Sequence, residues 1–245
     1  MTDPQSNRES QHARAVHEMF SGIAGKYDFL NHFLSLNIDK RWRRKVVYRL
    51  SKEVLNPEAS ILDVACGTGD LTLELARAGV AKVIGTDFCR PMLSIANGKS
   101  QTLTKRPPFI EADGLRLSFA DETFDAVTIA FGLRNFSSWR DGVIELSRVL
   151  KPGGKLVILE FSSPRVPGVR QLFNFYFRAI LPRIGGAVSG SRGAYEYLPD
   201  SVSRFPDQTG LAELMSSVGL SDVSYENLTG GIAAIHIGTR PQSIT

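Results

Sequence analysis

The run Asp63-Val64-Ala65-Cys66-Gly67-Thr68-Gly69-Asp70 combines two glycines with two flanking acids. Gly67 and Gly69 can turn tightly and leave bare backbone for a ligand to approach. The run stands between a strand pattern and a helix pattern, where open α/β sheets bind ligands at their carboxyl edge. Twenty residues beyond Gly67, at the end of the next strand pattern, Asp87 is placed to accept both hydroxyls of an adenosine ribose. A dinucleotide fold shares these features but needs a third glycine where this chain has Thr72. Asp63 and Asp70 would also repel a pyrophosphate. They suit instead an adenosine ligand carrying an ammonium and a sulfonium, which is S-adenosylmethionine.

Further candidates fall at the ends of the following strand patterns. Phe88, next to Asp87, can stack on an adenine or pack as a core aromatic. Asp113-Gly114 can read the adenine edge through a carboxylate beside backbone N–H groups, or simply cap a turn. The segment Phe131-Gly132-Leu133-Arg134-Asn135-Phe136 falls on the side where such a sheet receives the methyl acceptor. There Arg134 can orient an oxyanion with Asn135 as its hydrogen-bond partner, or serve as a structural arginine at a helix start. The Asn/Asp-Pro-Pro-aromatic signature of amino-group methylation is absent from this segment, as is a cysteine that could attack a pyrimidine carbon. Cys66 and Cys89, the two cysteines, lie on cofactor-side loops and form no CxxC pair, so neither a metal site nor a disulfide framework is expected. No general base is identified. His17, His32 and His236 are candidates only because histidine titrates near neutrality.

The elements that must position these residues alternate. Helical periodicity is expected from His12 to about Leu50, with Ile38, Trp42, Val46 and Leu50 as one apolar stripe. Residues 53–58 read as a linker. Strands are expected at Ile61–Ala65, Lys82–Thr86, Pro108–Ala112, Phe124–Ala130 and Lys155–Phe161, and helices at Thr68–Ala78, Pro91–Lys99 and from Trp139 to Leu150. Lys151-Pro152-Gly153-Gly154 reads as a sharp turn. Residues 162–204 lack a strand pattern and are too long for a bare loop, so they read as a helical insertion over the site. A helix at Asp207–Val218 and two β segments, Ser221–Leu228 and Ile232–Thr239, complete the chain. The last two are close enough in sequence to pair antiparallel. Strand–helix alternation implies parallel βαβ units with helices on both sheet faces.

With 245 residues, 42% apolar and 22% charged, the chain is an ordinary globular protein rather than a disordered, collagen-like or disulfide-rich one. No apolar run reaches the roughly 18 residues needed to cross a bilayer. The polar, acid-containing first eleven residues lack a signal-peptide core, so a cytoplasmic protein is expected. A net charge of +4 is too modest for a nucleic-acid partner. It is nevertheless uneven. Lys40, Arg41, Arg43, Arg44, Lys45 and Arg49 form either a solvated helix face or a surface for anionic lipid.

The chain resembles the UbiE/MenG family of ubiquinone and menaquinone biosynthesis C-methyltransferases almost end to end. The matching segments are residues 24–31, Arg41-Trp42-Arg43, residues 63–70 and 130–135, Val149 to Gly154, Tyr195 to Leu198, Phe205-Pro206-Asp207-Gln208 and residues 227–232. The resemblance implies a class I methyltransferase fold with a mostly parallel seven-stranded sheet, N-terminal helices over residues 1–55 and a methyltransferase unit over 56–245. The lid-like insertion would occupy 162–206 of what is effectively one domain. It also implies methylation by S-adenosylmethionine of a ring carbon of a polyprenylated quinol, with the menaquinone precursor favoured and the ubiquinone precursor as its rival. Among the cofactor-binding residues Asp63, Gly67, Thr68, Gly69, Asp87, Phe88, Asp113 and Gly114, the resemblance brings in Thr68 and supports Asp87 and Asp113-Gly114. Gly114 stands where many members have Ala. Arg134 and Asn135 would serve catalysis. Phe173, Phe175, Tyr176, Phe177 and Ile180 would cover a prenyl tail and Arg165, Arg170, Arg178 and Arg183 would face lipid headgroups, or the segment is an ordinary lid packed on the core. The inner face of the cytoplasmic membrane and a homo-oligomer are compatible settings.

Overall fold

The structure, a computed structural model, describes residues 14–25, 37–80, 82–175 and 192–242, with residues 11, 28 and 35. Helix α1 covers residues 14–25. Then follow α2 (Ile38–Arg49), α3 (Ser51–Leu55), β1 (Ser60–Val64), α4 (Asp70–Arg77), β2 (Lys82–Asp87), α5 (Arg90–Ser100), β3 (Phe109–Glu111) and β4 (Phe124–Ala130). The chain continues with α6 (Trp139–Arg148), β5 (Leu150–Phe161), α7 (Pro167–Phe175), α8 (Arg192–Arg204), α9 (Gln208–Ser217), β6 (Ser221–Leu228) and β7 (Ala233–Thr239).

One seven-stranded sheet has the order β3-β2-β1-β4-β5-β7-β6. The strands from β3 to β5 pair in parallel, and β7 lies antiparallel between β5 and β6. This is the expected doubly wound architecture, and the chain direction reverses across the sheet between β1 and β4. Such a reversal opens a crevice at the carboxyl edge, so the two strands carrying the glycine run and the Phe131–Phe136 segment meet there.

Alternating side chains divide the core between the two sheet faces. On one face Leu62, Val64, Val127, Ile129, Leu156 and Ile158 pack with Val143 and Leu146 of α6 and Leu211 and Met215 of α9. On the other, Ile61, Ala126, Val157 and Leu159 meet Leu71 and Leu75 of α4 and the Trp42, Val46 and Leu50 stripe of α2. The N-terminal stripe therefore closes the sheet core.

Three expectations change. The helix read through His12–Leu50 is interrupted, because Asn37 takes a left-handed φ of 59° and starts α2 afresh. A short helix, α3, occupies the first part of the expected linker. The Lys151–Gly154 turn is instead a bulge within β5. Phe124 pairs with Leu150 and Ala126 already pairs with Lys155, while Gly153 (φ 80°) donates its N–H to Arg240. The described part of the insertion is helical as expected, with α7 and α8. Its expected contacts Tyr176, Phe177, Arg178, Ile180 and Arg183 lie outside the described residues, as does His32.

Candidate active site

The β1–α4 connection leaves the sheet edge through three left-handed residues, Ala65 (φ 50°), Gly67 (φ 56°) and Gly69 (φ 82°). Gly69 has a second reason to lack a side chain. A Cβ there would lie 2.9 Å from the Ala96 methyl and the Phe109 ring. Over Gly67 there is open space instead, with nothing within 4 Å of an added Cβ. The backbone is thus bare where a ligand would approach.

Asp63 lies beneath this loop. It is 1% exposed, and its two oxygens accept from Thr72 Oγ1 at 2.6 Å and Thr128 Oγ1 at 2.8 Å. Thr72, which stands where a dinucleotide fold has glycine, is therefore the residue that fastens α4 to β1. Burial raises the Asp63 carboxyl from 3.8 to about 6, against the lowering effect of the two hydroxyls and of Arg43. A raised folded-state value stabilises the protein fully only below the unfolded value, and that stabilisation is lost as pH rises toward 6. The shift of about two units corresponds to roughly 3 kcal/mol. Thermal melts should accordingly show wild type gaining on Asp63→Asn as pH falls from 7 to 4. A gap between the two proteins that does not vary with pH would refute the assignment.

At the end of β2, Asp87 accepts the Gly67 N–H on Oδ2 and the Cys89 N–H on Oδ1, both at 2.8 Å. Each oxygen keeps a further lone pair, so the carboxylate can hold the loop and still accept two hydroxyls. Burial pushes its pKa up, opposed by these N–H donors. Together with the open Gly67 backbone, this donor and acceptor set fits the adenosine end of S-adenosylmethionine. Phe88 meets the His17 ring edge-on with centroids 5.6 Å apart, and Ser21 Oγ lies 3.4 Å from Cys89 Sγ. Helix α1 thus roofs the end of β2. Asp113 is exposed and its Oδ1 accepts the Leu115 N–H, which makes it a turn cap in this structure. A Cβ on Gly114 would overlap the Phe136 ring, so glycine there goes with phenylalanine at 136.

Thr68 Oγ1 donates to Asp28, and Lys99 Nζ lies 2.9 Å from Asp28 Oδ2, 3.2 Å from Thr68 Oγ1 and in contact with Asp70. Arg43 reaches Asp39 and, at 3.6 Å, Asp70. Asp28 therefore lies against the glycine loop, and Asp70 faces cations of the chain itself.

On the acceptor side, Phe131 just beyond β4 takes a left-handed conformation (φ 59°), and Leu133–Asn135 form a short 3₁₀ turn. Arg134 is 7% exposed. Its Nη1 donates to the Phe131 carbonyl and, at 2.9 Å, to Glu160 Oε1 at the end of β5. Its Nε is buried and has no acceptor among the described residues. The Phe161 ring lies 5.5 Å from the guanidinium carbon. Tyr197 of α8 donates its hydroxyl to Asn135 Oδ1 at 3.1 Å, and burial raises its pKa. Above this edge Met19, Phe20 and Ile23 of α1, Phe173 of α7 and Leu198 and Val202 of α8 pack with Phe161 and Ile232. Of the histidines read as bases, His17 belongs to the Asp87 roof. His236 is buried on β7 against the Gln208 carbonyl, 2.8 Å away, and its pKa is lowered by burial. Glu160 and Lys99 are site neighbours that the sequence reading does not single out, while Asp28 and Tyr197 fall in family-matching segments that carry no assigned role.

A doubly wound sheet of this strand order, with a bare glycine loop and an acid at the end of β2, defines a class I methyltransferase fold that uses S-adenosylmethionine. Solved structures agree on the fold. Magnesium protoporphyrin IX methyltransferase from Synechocystis, solved with bound S-adenosylhomocysteine, aligns with a TM-score of 0.64 over 93% of this chain and 99% of its own at 19% identity. The cyclase SpnF aligns at 0.67 over 93% and 96%, at 17% identity. The model of the ubiE/COQ5 methyltransferase family matches residues 6–240, and the chain belongs to that family. Among curated relatives, the demethylmenaquinone methyltransferase of Thermus thermophilus is 49% identical over 91% of this chain and all of its own. The ubiquinone/menaquinone biosynthesis C-methyltransferase UbiE of a Geobacter species is 44% identical over 94% and 98%.

Proposed function

We propose that this chain methylates a ring carbon of demethylmenaquinol to give menaquinol. The observation that carries the reading is the buried Arg134 guanidinium. Its Nε has no acceptor among the described residues, and the Phe161 ring beside it belongs to the apolar cluster built by α1, α7 and α8, which suits a prenylated ring. Relatives named for this reaction, at 49% and 43% identity, support it. S-adenosylmethionine, when bound, supplies an electrophilic methyl group. The chain's own part is to hold the two partners and manage charge. Asp87 and the Gly67 backbone hold the adenosine end, and the roof of α1 excludes water from it. The apolar cover takes the ring and tail. A hydroquinone carbon becomes nucleophilic once a ring hydroxyl loses its proton, so no covalent nucleophile is needed. Arg134 would face the oxygen that gains negative charge, with Asn135 fixed beside it by Tyr197. Holding the reactants in register can account for about 7–11 kcal/mol of the barrier. A strain lacking the protein should accumulate demethylmenaquinone in its quinone profile, and an unaltered profile would refute the reading.

The substrate's tail sets a second expectation, that the protein works at the inner face of the cytoplasmic membrane. No helix among the described residues is long and apolar enough to cross a bilayer. On α2, Lys45 and Arg49 are paired with Glu226, and Arg43 is turned inward. Lys40, Arg41 and Arg44 remain exposed, next to Tyr48 at 72% exposure. On the insertion, Phe175 is 60% exposed whereas Phe173 is packed inside. In liposome sedimentation, binding should favour anionic over neutral vesicles and weaken in high salt. Changing Lys40, Arg41 and Arg44 to Gln should abolish the preference. Equal partitioning onto both vesicle types would rule out the electrostatic contribution.

A further inference from the structure

Glu160 is the one acid in the Leu156–Phe161 stretch of β5 and is 1% exposed. Burying a carboxylate at the end of a core strand is unfavourable unless its bonds are made elsewhere. Glu160 makes two of its three to the acceptor turn and the third to its own strand. Oε1 accepts from Arg134 Nη1 at 2.9 Å and from the Phe161 N–H at 2.8 Å, and Oε2 lies 3.3 Å from the backbone N of Arg134. It therefore grips Arg134 at both ends, main chain and guanidinium. The Phe131 carbonyl takes Nη1 as well, and the Phe161 ring lies against the guanidinium. What these contacts leave over is the other edge of the guanidinium, Nη2 and the buried Nε, for which no acceptor stands among the described residues. A buried ion pair is weak evidence for stability, because desolvation offsets its attraction. One that fixes a guanidinium by a single nitrogen and leaves another donor unused has the form of a preset hydrogen-bond site.

We infer that Glu160 is a positioning residue. It fixes the Arg134 guanidinium from β5 so that the Nε edge is presented to an oxygen of the acceptor. The inference rests on the catalytic reading of Arg134 and adds the group through which that arginine is aimed. Glu160 itself touches no substrate. Its effect on the reaction passes through Arg134.

The test is a double-mutant cycle on the full chain, with kcat and KM for demethylmenaquinol and calorimetric Kd for S-adenosylmethionine. Glu160→Gln keeps an acceptor for the backbone N–H groups but loses the ion pair. Glu160→Asp keeps the charge and shortens the reach, and it carries the cycle if the Gln variant does not fold. Either should lower kcat by about 10–100-fold, the scale of a misplacement of about 1 Å, with the Kd for S-adenosylmethionine within about twofold of wild type. Adding either change to Arg134→Ala should slow the enzyme no further. A wild-type kcat for Glu160→Asp, or losses that multiply in the double variant, would overturn the inference while leaving the role of Arg134 intact. Full turnover by Arg134→Ala itself would overturn the reading beneath it.

Discussion

Arg134→Ala should lower turnover by about 10²–10³-fold, the scale of losing one preorganised donor to a developing oxyanion. The oxygen of the quinol becomes more negative as its carbon attacks, so a guanidinium fixed beside it acts more strongly at the transition state than on the bound ring. That difference raises kcat rather than affinity. The Arg134–Glu160 pair adds a second consequence. Removing the cation leaves a buried carboxylate alone, which typically costs about 3–5 kcal/mol when the charge is retained. Burial already raises the Glu160 pKa, and without Arg134 it would rise further and let the acid neutralise itself. The variant should therefore melt earlier, yet fold at assay temperatures chosen from its own melt. Arg134→Lys offers one ammonium where the structure uses Nη1 for both Phe131 and Glu160 and leaves Nε unused, so it too should be slow. Single-turnover rates on folded protein, with the Kd for S-adenosylmethionine measured alongside, separate the two effects. Normal turnover in a protein that merely melts earlier would make Arg134 structural.

The parallel strands are legible because strands buried on both faces read as apolar runs, and the glycine loop because it falls between such a run and a helix. Asp63, by contrast, reads as a loop acid facing a ligand and is found under the loop between Thr72 and Thr128. Sequence position puts it next to the glycines, but the pleat of β1 turns it inward. Glu160 does carry a signal, a lone acid within an apolar strand, which a buried position must pair. Its partner is invisible until β4 and β5 are set side by side. Asp28, Lys99 and Tyr197 reach the site from far along the chain, so no local spacing reveals them. The Gly153-Gly154 pair reads as a turn because glycine permits turns and bulges alike, and only the β4 register decides between them.

Asp87→Ala should weaken S-adenosylmethionine binding by roughly 2–4 kcal/mol, taking about 1–2 for each charge-assisted bond to a ribose hydroxyl. That is about 30- to 1000-fold in Kd. The structure makes the upper part of this range the better expectation, because the same carboxylate also accepts the N–H groups of Gly67 and Cys89. Its removal frees the left-handed Gly67 turn as well as the ribose contacts. Asp87→Asn separates these contributions. One amide oxygen can keep one backbone donor, but the NH₂ group faces the other, so binding should be intermediate. The pH dependence follows from the direction of the shift. Burial holds the Asp87 pKa above its ordinary value. The protonated acid loses acceptor capacity, so affinity should fall as pH drops through that raised value. Ribose hydroxyls favour the ionised form, so binding on the acid side should release a proton, seen as a buffer-dependent heat in calorimetry. Both effects should vanish in Asp87→Ala. An affinity that is insensitive to pH in wild type, or unchanged in Asp87→Ala, would take the ribose contact away from this residue.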